Sequence, residues 1–349
     1  MKNTLLNTVF TLSIALFASG CQTRQPEPQV AGRDIFVPST ASVQGQALLK
    51  VLKEKKAYNR KVPSPENTAA WVALQEATEQ ATKLGAEKAI EVNEVIVTEK
   101  NLRGVPVLEI IPKDWQDDGK VLVYTHGGAY ALFSAYSTLP SSGPMSRATG
   151  RKVISVDYTL VPIDNWEKIQ GDVLKVFDAL LAQGYTMDDI ALYGDSAGGG
   201  LATSTILNLR DKGLGMPAVV VLWAPWVDLT NEGDSANSLA DEDPLLDYKN
   251  LLKPSALAFA DGLDLNDPRV SPIYADFRKG FPPTLIQLGT KEIFLSTGVR
   301  LFQKLEAQGQ VATLDVYEGM PHIFQQYGIT ESKIAISKSA TFINKHLGN

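Results

Sequence analysis

The stretch Leu192-Tyr193-Gly194-Asp195-Ser196-Ala197-Gly198-Gly199-Gly200-Leu201-Ala202-Thr203 decides how the chain is read. Ile190 to Tyr193 are apolar and predict a short buried strand, and Leu201 to Leu209 predict a helix. Between them lies Gly194-x-Ser196-x-Gly198. A serine at a sharp strand-to-helix turn is thrust out of its sheet, which suits a nucleophile. Glycines two before and two after it let the chains pass without a clash of β-carbons. The helix that follows aims its positive end and free N–H groups at the same spot. Three fixed letters in five are a modest signal alone, and an ordinary serine in a glycine-rich turn is the bland alternative. The decision rests on partners elsewhere in the chain.

Around this turn, strand and helix patterns alternate. Val95–Val97, Val105–Ile111, Lys120–Thr125, Val153–Tyr158, Asp189–Tyr193, Ala218–Trp223, Pro283–Gly289 and Ala312–Tyr317 predict strands. Ile169–Leu181 and Thr297–Gln308 predict helices between them. Such alternation argues for an α/β fold, a mostly parallel sheet flanked by helices, with its site at the carboxyl ends of the strands. Two regions stand apart. Residues 43–60 and 66–84 show helical spacing, broken by Pro63 and Pro65. Residues 230–275 offer no clear strand, and a helical stretch opens at Asp243-Pro244-Leu245-Leu246 and reaches about Asp261. These regions (43–90 and 230–275) are expected to form a helical cap, although a separate helical hairpin would also suit the first. The body is taken as residues 43–349.

A serine hydroxyl needs a base, and the base needs an orienter. The chain holds three histidines, His126, His322 and His346. His346 sits in the last helix and reads as a surface position. His322 lies in Glu318-Gly319-Met320-Pro321-His322, just past the last strand, where a general base belongs. Carboxylates are many between Ser196 and His322, but Glu292 directly follows a buried-type strand, so the order Ser…Glu…His is the expected triad. Asp315 lies inside a strand, and Glu318 is too close to His322 in sequence. Acyl transfer also needs donors for a developing oxyanion. His126-Gly127-Gly128-Ala129 follows the strand ending at Thr125. The N–H groups of Gly128, Ala129 and Ala197 are the candidate donors, with Gly127 shaping the loop and His126 holding it. Gly194, Asp195 and Gly198 support the motif.

These motifs resemble the hormone-sensitive-lipase family (bacterial family IV) of carboxylesterases in the α/β-hydrolase superfamily. His126-Gly-Gly-Ala, Gly194-Asp-Ser-Ala-Gly-Gly199, Glu292-Ile-Phe-Leu and Gly319-Met-Pro-His322 carry the resemblance, with Trp226-Val-Asp-Leu-Thr230 and Asp243-Pro-Leu in support, over roughly residues 45–347. The resemblance implies an α/β-hydrolase fold and hydrolysis of short to medium acyl esters, without a cofactor. Four departures stand out. Ala129 replaces a third glycine, Glu292 replaces an aspartate, and Ser296 replaces a second aspartate. Thr159-Leu-Val-Pro-Ile163 stands where an Arg-x-Ala-Pro-Glu stretch is usual, which unsettles the contacts of Asp157. The same triad could act on a lactone, amide or acetylated substrate. A non-catalytic binding protein on a hydrolase scaffold would have lost the base or the nucleophile, and both are present.

The first twenty residues read as a signal peptide. Lys2 precedes the apolar run Val9–Ala18, and small residues follow. Ala18-Ser19-Gly20-Cys21 resembles a bacterial lipobox, with Ala18 where leucine is preferred, and Cys21 is the sole cysteine. That resemblance implies diacylation of Cys21. Gln22 after it implies the outer membrane of a Gram-negative cell. Residues 21–42, rich in Gln, Pro, Ser and Thr, then form a lipidated tether. The remaining bounds are broad. A net charge of −6 without a basic stripe argues against nucleic acid as a partner. No metal-ligating Cys/His cluster occurs, so neither metal nor cofactor is expected. A small-molecule ester and a bilayer are the expected partners, and nothing in the sequence excludes a homodimer.

Overall fold

A computed structural model describes residues 34–55 and 61–348 of the chain. The signal peptide, Cys21 and residues 21–33 of the tether lie outside the described residues. An eight-stranded sheet forms the centre, in the order β1-β2-β4-β3-β5-β6-β7-β8. Its strands are β1 (Val95–Leu102), β2 (Val105–Pro112), β3 (Val121–Thr125), β4 (Lys152–Val156), β5 (Ile190–Asp195), β6 (Val219–Trp223), β7 (Thr284–Lys291) and β8 (Ala312–Pro321). The pairs from β4–β3 through β7–β8 are parallel, while β1–β2 and β2–β4 are antiparallel. Strands β3, β5 and β6 are buried at every residue, as a parallel sheet covered on both faces requires. The β1–β2 hairpin turns at Arg103-Gly104, both at positive φ, and Asn101 accepts the Gly104 N–H.

The helices are α1 (Val43–Lys55), α2 (Thr68–Asn93), α3 (Leu139–Thr149), α4 (Trp166–Ala182), α5 (Ala197–Asp211), α6 (Asp234–Ser238), α7 (Lys253–Ala260), α8 (Leu295–Ala307) and α9 (Thr330–Leu347). Several boundaries differ from the pattern reading for identifiable reasons. Helix α2 continues past residue 84 because Ala86 and Ala89 resume its buried stripe. Helix α5 starts at Ala197, since Gly198, Gly199 and Gly200 form a buried first turn rather than a loop. Strand β4 stops at Val156. The stretch from Asp243 is not yet helix, because the Asp243 carboxylate accepts the N–H groups of Leu245 and Leu246 and holds a tight turn. A π-helical turn (Tyr248–Leu252) precedes α7.

The two regions expected to cap the site behave differently. Thr82 and Gly85 of α2 and Leu245, Leu246, Leu251 and Leu252 line one cavity with Ser196. Helix α1 instead packs beside β8. Leu48 and Leu52 meet Met320, Tyr317 and Phe324 in a small separate cluster. Among the described residues, α1 gives no side chain to the cavity wall.

Candidate active site

Strand β5 delivers Ser196 at φ 54° and ψ −122°, a conformation outside the usual regions for a non-glycine residue. The turn is over-determined by its surroundings. The Ser196 N–H donates to the Trp223 carbonyl (2.9 Å), and the Ser196 carbonyl accepts from Trp226 (2.8 Å) and Gly199 (3.0 Å). A β-carbon on Gly198 would overlap the carbonyls of Thr125 and His126, and one on Gly194 would overlap Gly198. Here the glycines are required by close approach of backbone to backbone.

Three distant side chains converge at the carboxyl rim of the sheet. His322 Nε2 lies 2.9 Å from Ser196 Oγ, and His322 Nδ1 lies 2.7 Å from Glu292 Oε2. A carboxylate only accepts, so Nδ1 carries the proton and Nε2 is left to accept from the serine hydroxyl. The second oxygen of Glu292 accepts the Gly289 N–H at 2.6 Å. All three side chains are buried.

Behind Glu292 stands Asp243, fully buried. Its Oδ2 accepts the Ile293 N–H at 2.9 Å while Oδ1 holds Leu245 and Leu246. Burial raises its pKa from the ordinary 3.8 to about 6, against the pull of nearby His322 and these N–H donors. Ser296, in place of the expected aspartate, exchanges hydrogen bonds with Ser235. Its N–H donates to Ser235 Oγ (2.8 Å), and its Oγ accepts the Ser235 N–H (3.1 Å).

The loop after β3 brings Gly127, Gly128 and Ala129 against the serine. Gly128 (φ 116°), Ala129 (φ 56°) and Tyr130 (φ 61°) are all left-handed. Among the described residues, no backbone acceptor takes the N–H of Gly128 or Ala129. The Ala197 N–H, at the first position of α5, is one of the amides a helix start leaves unpaired. Asp195 supports this loop from below. Its Oδ1 accepts the Gly127 N–H (3.1 Å) and the Tyr124 hydroxyl. Burial raises its pKa to about 6, opposed first by the Tyr124 hydrogen bond.

His126 is buried but turned away from this chemistry. Its Nδ1 donates to the Gly127 carbonyl (2.7 Å), its ring stacks on Tyr158 at 4.2 Å, and burial lowers its pKa, keeping it neutral. Asp157 accepts the Ala135 N–H (2.9 Å), and Thr159 donates to Asp172, which Lys168 neutralises. His346 lies on α9 against Phe342, outside the cavity wall.

An aromatic row escaped the sequence reading. Phe259 stacks on Tyr130 (3.8 Å), Tyr130 on Trp226 (5.8 Å), Trp226 on Phe294 (5.9 Å), and Phe294 meets His322 edge-on (5.1 Å). It links the loop beside the serine to the histidine. Tyr130 directly follows Ala129, Phe294 lies in the Glu292-Ile-Phe-Leu motif and Trp226 opens Trp226-Val-Asp-Leu-Thr230, but no local pattern signals that these rings stack. The cavity itself encloses about 1020 Å3 including its open mouth. Five leucines, Phe133 and Ile323 line it, with Thr82, Ser137, Thr138, Ser141, Gln326 and Tyr327 between them. Among the described residues, no group of three or more His, Cys, Asp or Glu side chains is placed to hold a metal ion.

Comparison with known proteins agrees with this architecture. Residues 122–326 match the model of an α/β hydrolase fold family. An acetyl-hydrolase of Streptomyces hygroscopicus is 33% identical over 67% of this chain and 78% of its own length. An esterase of Acinetobacter venetianus is 33% identical over 64% of this chain and 74% of its own. The crystal structure of an esterase from the bacterial hormone-sensitive lipase family superposes with a TM-score of 0.79 at 28% identity, covering 88% of this chain and 99% of that one. The chain belongs to the α/β hydrolase fold family. Within it, this protein is a carboxylic ester hydrolase.

Proposed function

We propose that the protein is a serine carboxylesterase of the hormone-sensitive-lipase type, acting on short to medium acyl esters through Ser196, His322 and Glu292. One observation carries the reading: a continuous relay from Ser196 Oγ to His322 (2.9 Å) and on to Glu292 (2.7 Å). Ser196 Oγ attacks the acyl carbonyl while His322 Nε2 takes its proton. Glu292 fixes the tautomer and stabilises the imidazolium. The N–H groups of Gly128, Ala129 and Ala197 receive the oxyanion, each contributing about 3 kcal/mol to the barrier reduction. His322 then protonates the leaving alcohol, and water repeats the sequence on the acyl-enzyme.

The leucine-lined cavity supports chains of modest length. A p-nitrophenyl ester series should show turnover falling as the acyl chain outgrows it. Ser196→Ala should lower kcat by about 10^6, and a phosphonate probe should label the wild type alone. Retained turnover in Ser196→Ala would refute the reading. An acetylated substrate is the second reading, supported by the similarity to an acetyl-hydrolase. An acetyl-bearing sugar or amide turned over faster than simple esters would favour it.

We also propose export and acylation at Cys21, on the strength of Ala18-Ser19-Gly20-Cys21 after an apolar run. Mass spectrometry of the exported chain tests this directly.

A further inference from the structure

We infer that the catalytic face of this protein is held against a lipid bilayer, so that its esters are drawn from the membrane phase. The inference rests on the serine-esterase reading and on acylation of Cys21. Its structural basis is where the described chain begins. Phe36 donates its N–H to Glu242 (3.3 Å), and its ring lies under the Lys291 ammonium at 5.4 Å. Lys291 is the last residue of β7, and Glu242 precedes Asp243 and the cavity residue Leu245. Pro38 packs against Gly319, and Thr40 donates to Glu318, both near the end of β8 and three or four residues before His322. The root of the tether therefore sits on the carboxyl rim of the sheet, the same rim that holds Ser196 and His322.

The length of chain outside the structure then sets the orientation. Thirteen residue steps join Cys21 to Asp34. Fully extended they span at most about 45 Å. A chain of this length folds to a body about 50 Å across, so a path over its surface to the opposite face would need about 80 Å. Acyl groups on Cys21 therefore cannot reach a membrane lying against the amino edge. Two large exposed apolar side chains belong to the segments that reach this rim. Phe36 is 66% exposed, and Leu84, next to the lining residue Gly85, is also 66% exposed. Burying the exposed part of each in the acyl boundary is favourable. The far end of the molecule provides the control. Arg151, just before β4, donates to the Gly348 carbonyl (2.6 Å) and Asn344 (2.7 Å), which fixes the C-terminus at the amino edge of the sheet.

The test compares two anchors on phosphatidylcholine vesicles carrying a diacylglycerol. One chain is the exported protein with its own acylated Cys21. The other is the Cys21→Ala mature chain with one cysteine added after Asn349 and coupled to a maleimide phospholipid. The first should hydrolyse the vesicle-borne ester at least tenfold faster, while both turn over dissolved p-nitrophenyl butyrate within twofold of each other. Phe36→Glu and Leu84→Glu together should lower vesicle turnover about tenfold and leave the dissolved ester unaffected, which also reports that the variant folds. Equal vesicle turnover by the two chains, or an exported chain whose mass lacks acyl groups, overturns the inference. Loss of p-nitrophenyl butyrate turnover in both chains sinks the serine-esterase reading, and the membrane inference with it.

Discussion

The turn around Ser196 and the loop around Glu292 meet at the same histidine but are built by opposite means. The serine turn is held by backbone. Glycines at 194 and 198 let strands and helix touch, and the carbonyls and amides of Ser196, Trp223 and Trp226 lock it. The acid loop is held by side chains from another region. Asp243 grips Ile293 from fifty residues away, and Ser235 grips Ser296 from sixty-one. A backbone-made site tolerates no change of residue, and a side-chain-made site can exchange its parts. This is why a serine at 296 and a glutamate at 292 fit here.

Substitutions can break or sharpen this contrast. The largest effect should come from Glu292→Gln, which leaves the loop in place but removes the charge and the fixed tautomer. A drop of about 10^4 in kcat with little change in KM is expected; full activity would place the acid elsewhere. Next, Gly198→Ala should destabilise the fold by about 3 kcal/mol or more, read as a lowered urea midpoint, because no neighbouring backbone can retreat from the added carbon. Asp243→Asn tests the other construction through pH. The raised folded pKa of Asp243, about 6 against an ordinary 3.8, means the folded state keeps this proton longer than the unfolded chain does. The group therefore costs stability as pH rises from about 4 to above 6. Asn does not titrate, so stability of the variant relative to wild type should improve by about 3 kcal/mol across that window. An unchanged difference between pH 4 and pH 7 would refute the raised value. The smallest effect belongs to Ser296→Ala, about 1 kcal/mol, since Ser235 Oγ keeps its bond to the Ile293 carbonyl (2.7 Å).

The same contrast governs what could be read in the sequence. The parallel sheet, the serine turn and the glycine loop were legible because backbone demands leave fixed residues at fixed spacing. The positions of His322 and Glu292 followed from the ends of strands. Helix α1 was less legible. Its apolar spacing promised burial but could not say whether the cavity or β8 would receive it, and β8 does. Asp243 was visible only as a motif, and its grip on Ile293 depends on a fold-level approach that no local pattern encodes. The stacking of the aromatic row from Phe259 to His322 was invisible for the same reason, as its members come from five separate segments.

The Tyr130–Phe259 stack has a practical corollary for remodelling substrate range. Tyr130 is the residue after Ala129, so trimming Phe259 to make room would loosen the amides proposed to steady the reacting carbonyl. Enlargement is better begun at Leu251 or Leu252, which border the void directly, whereas Phe259 does not line it.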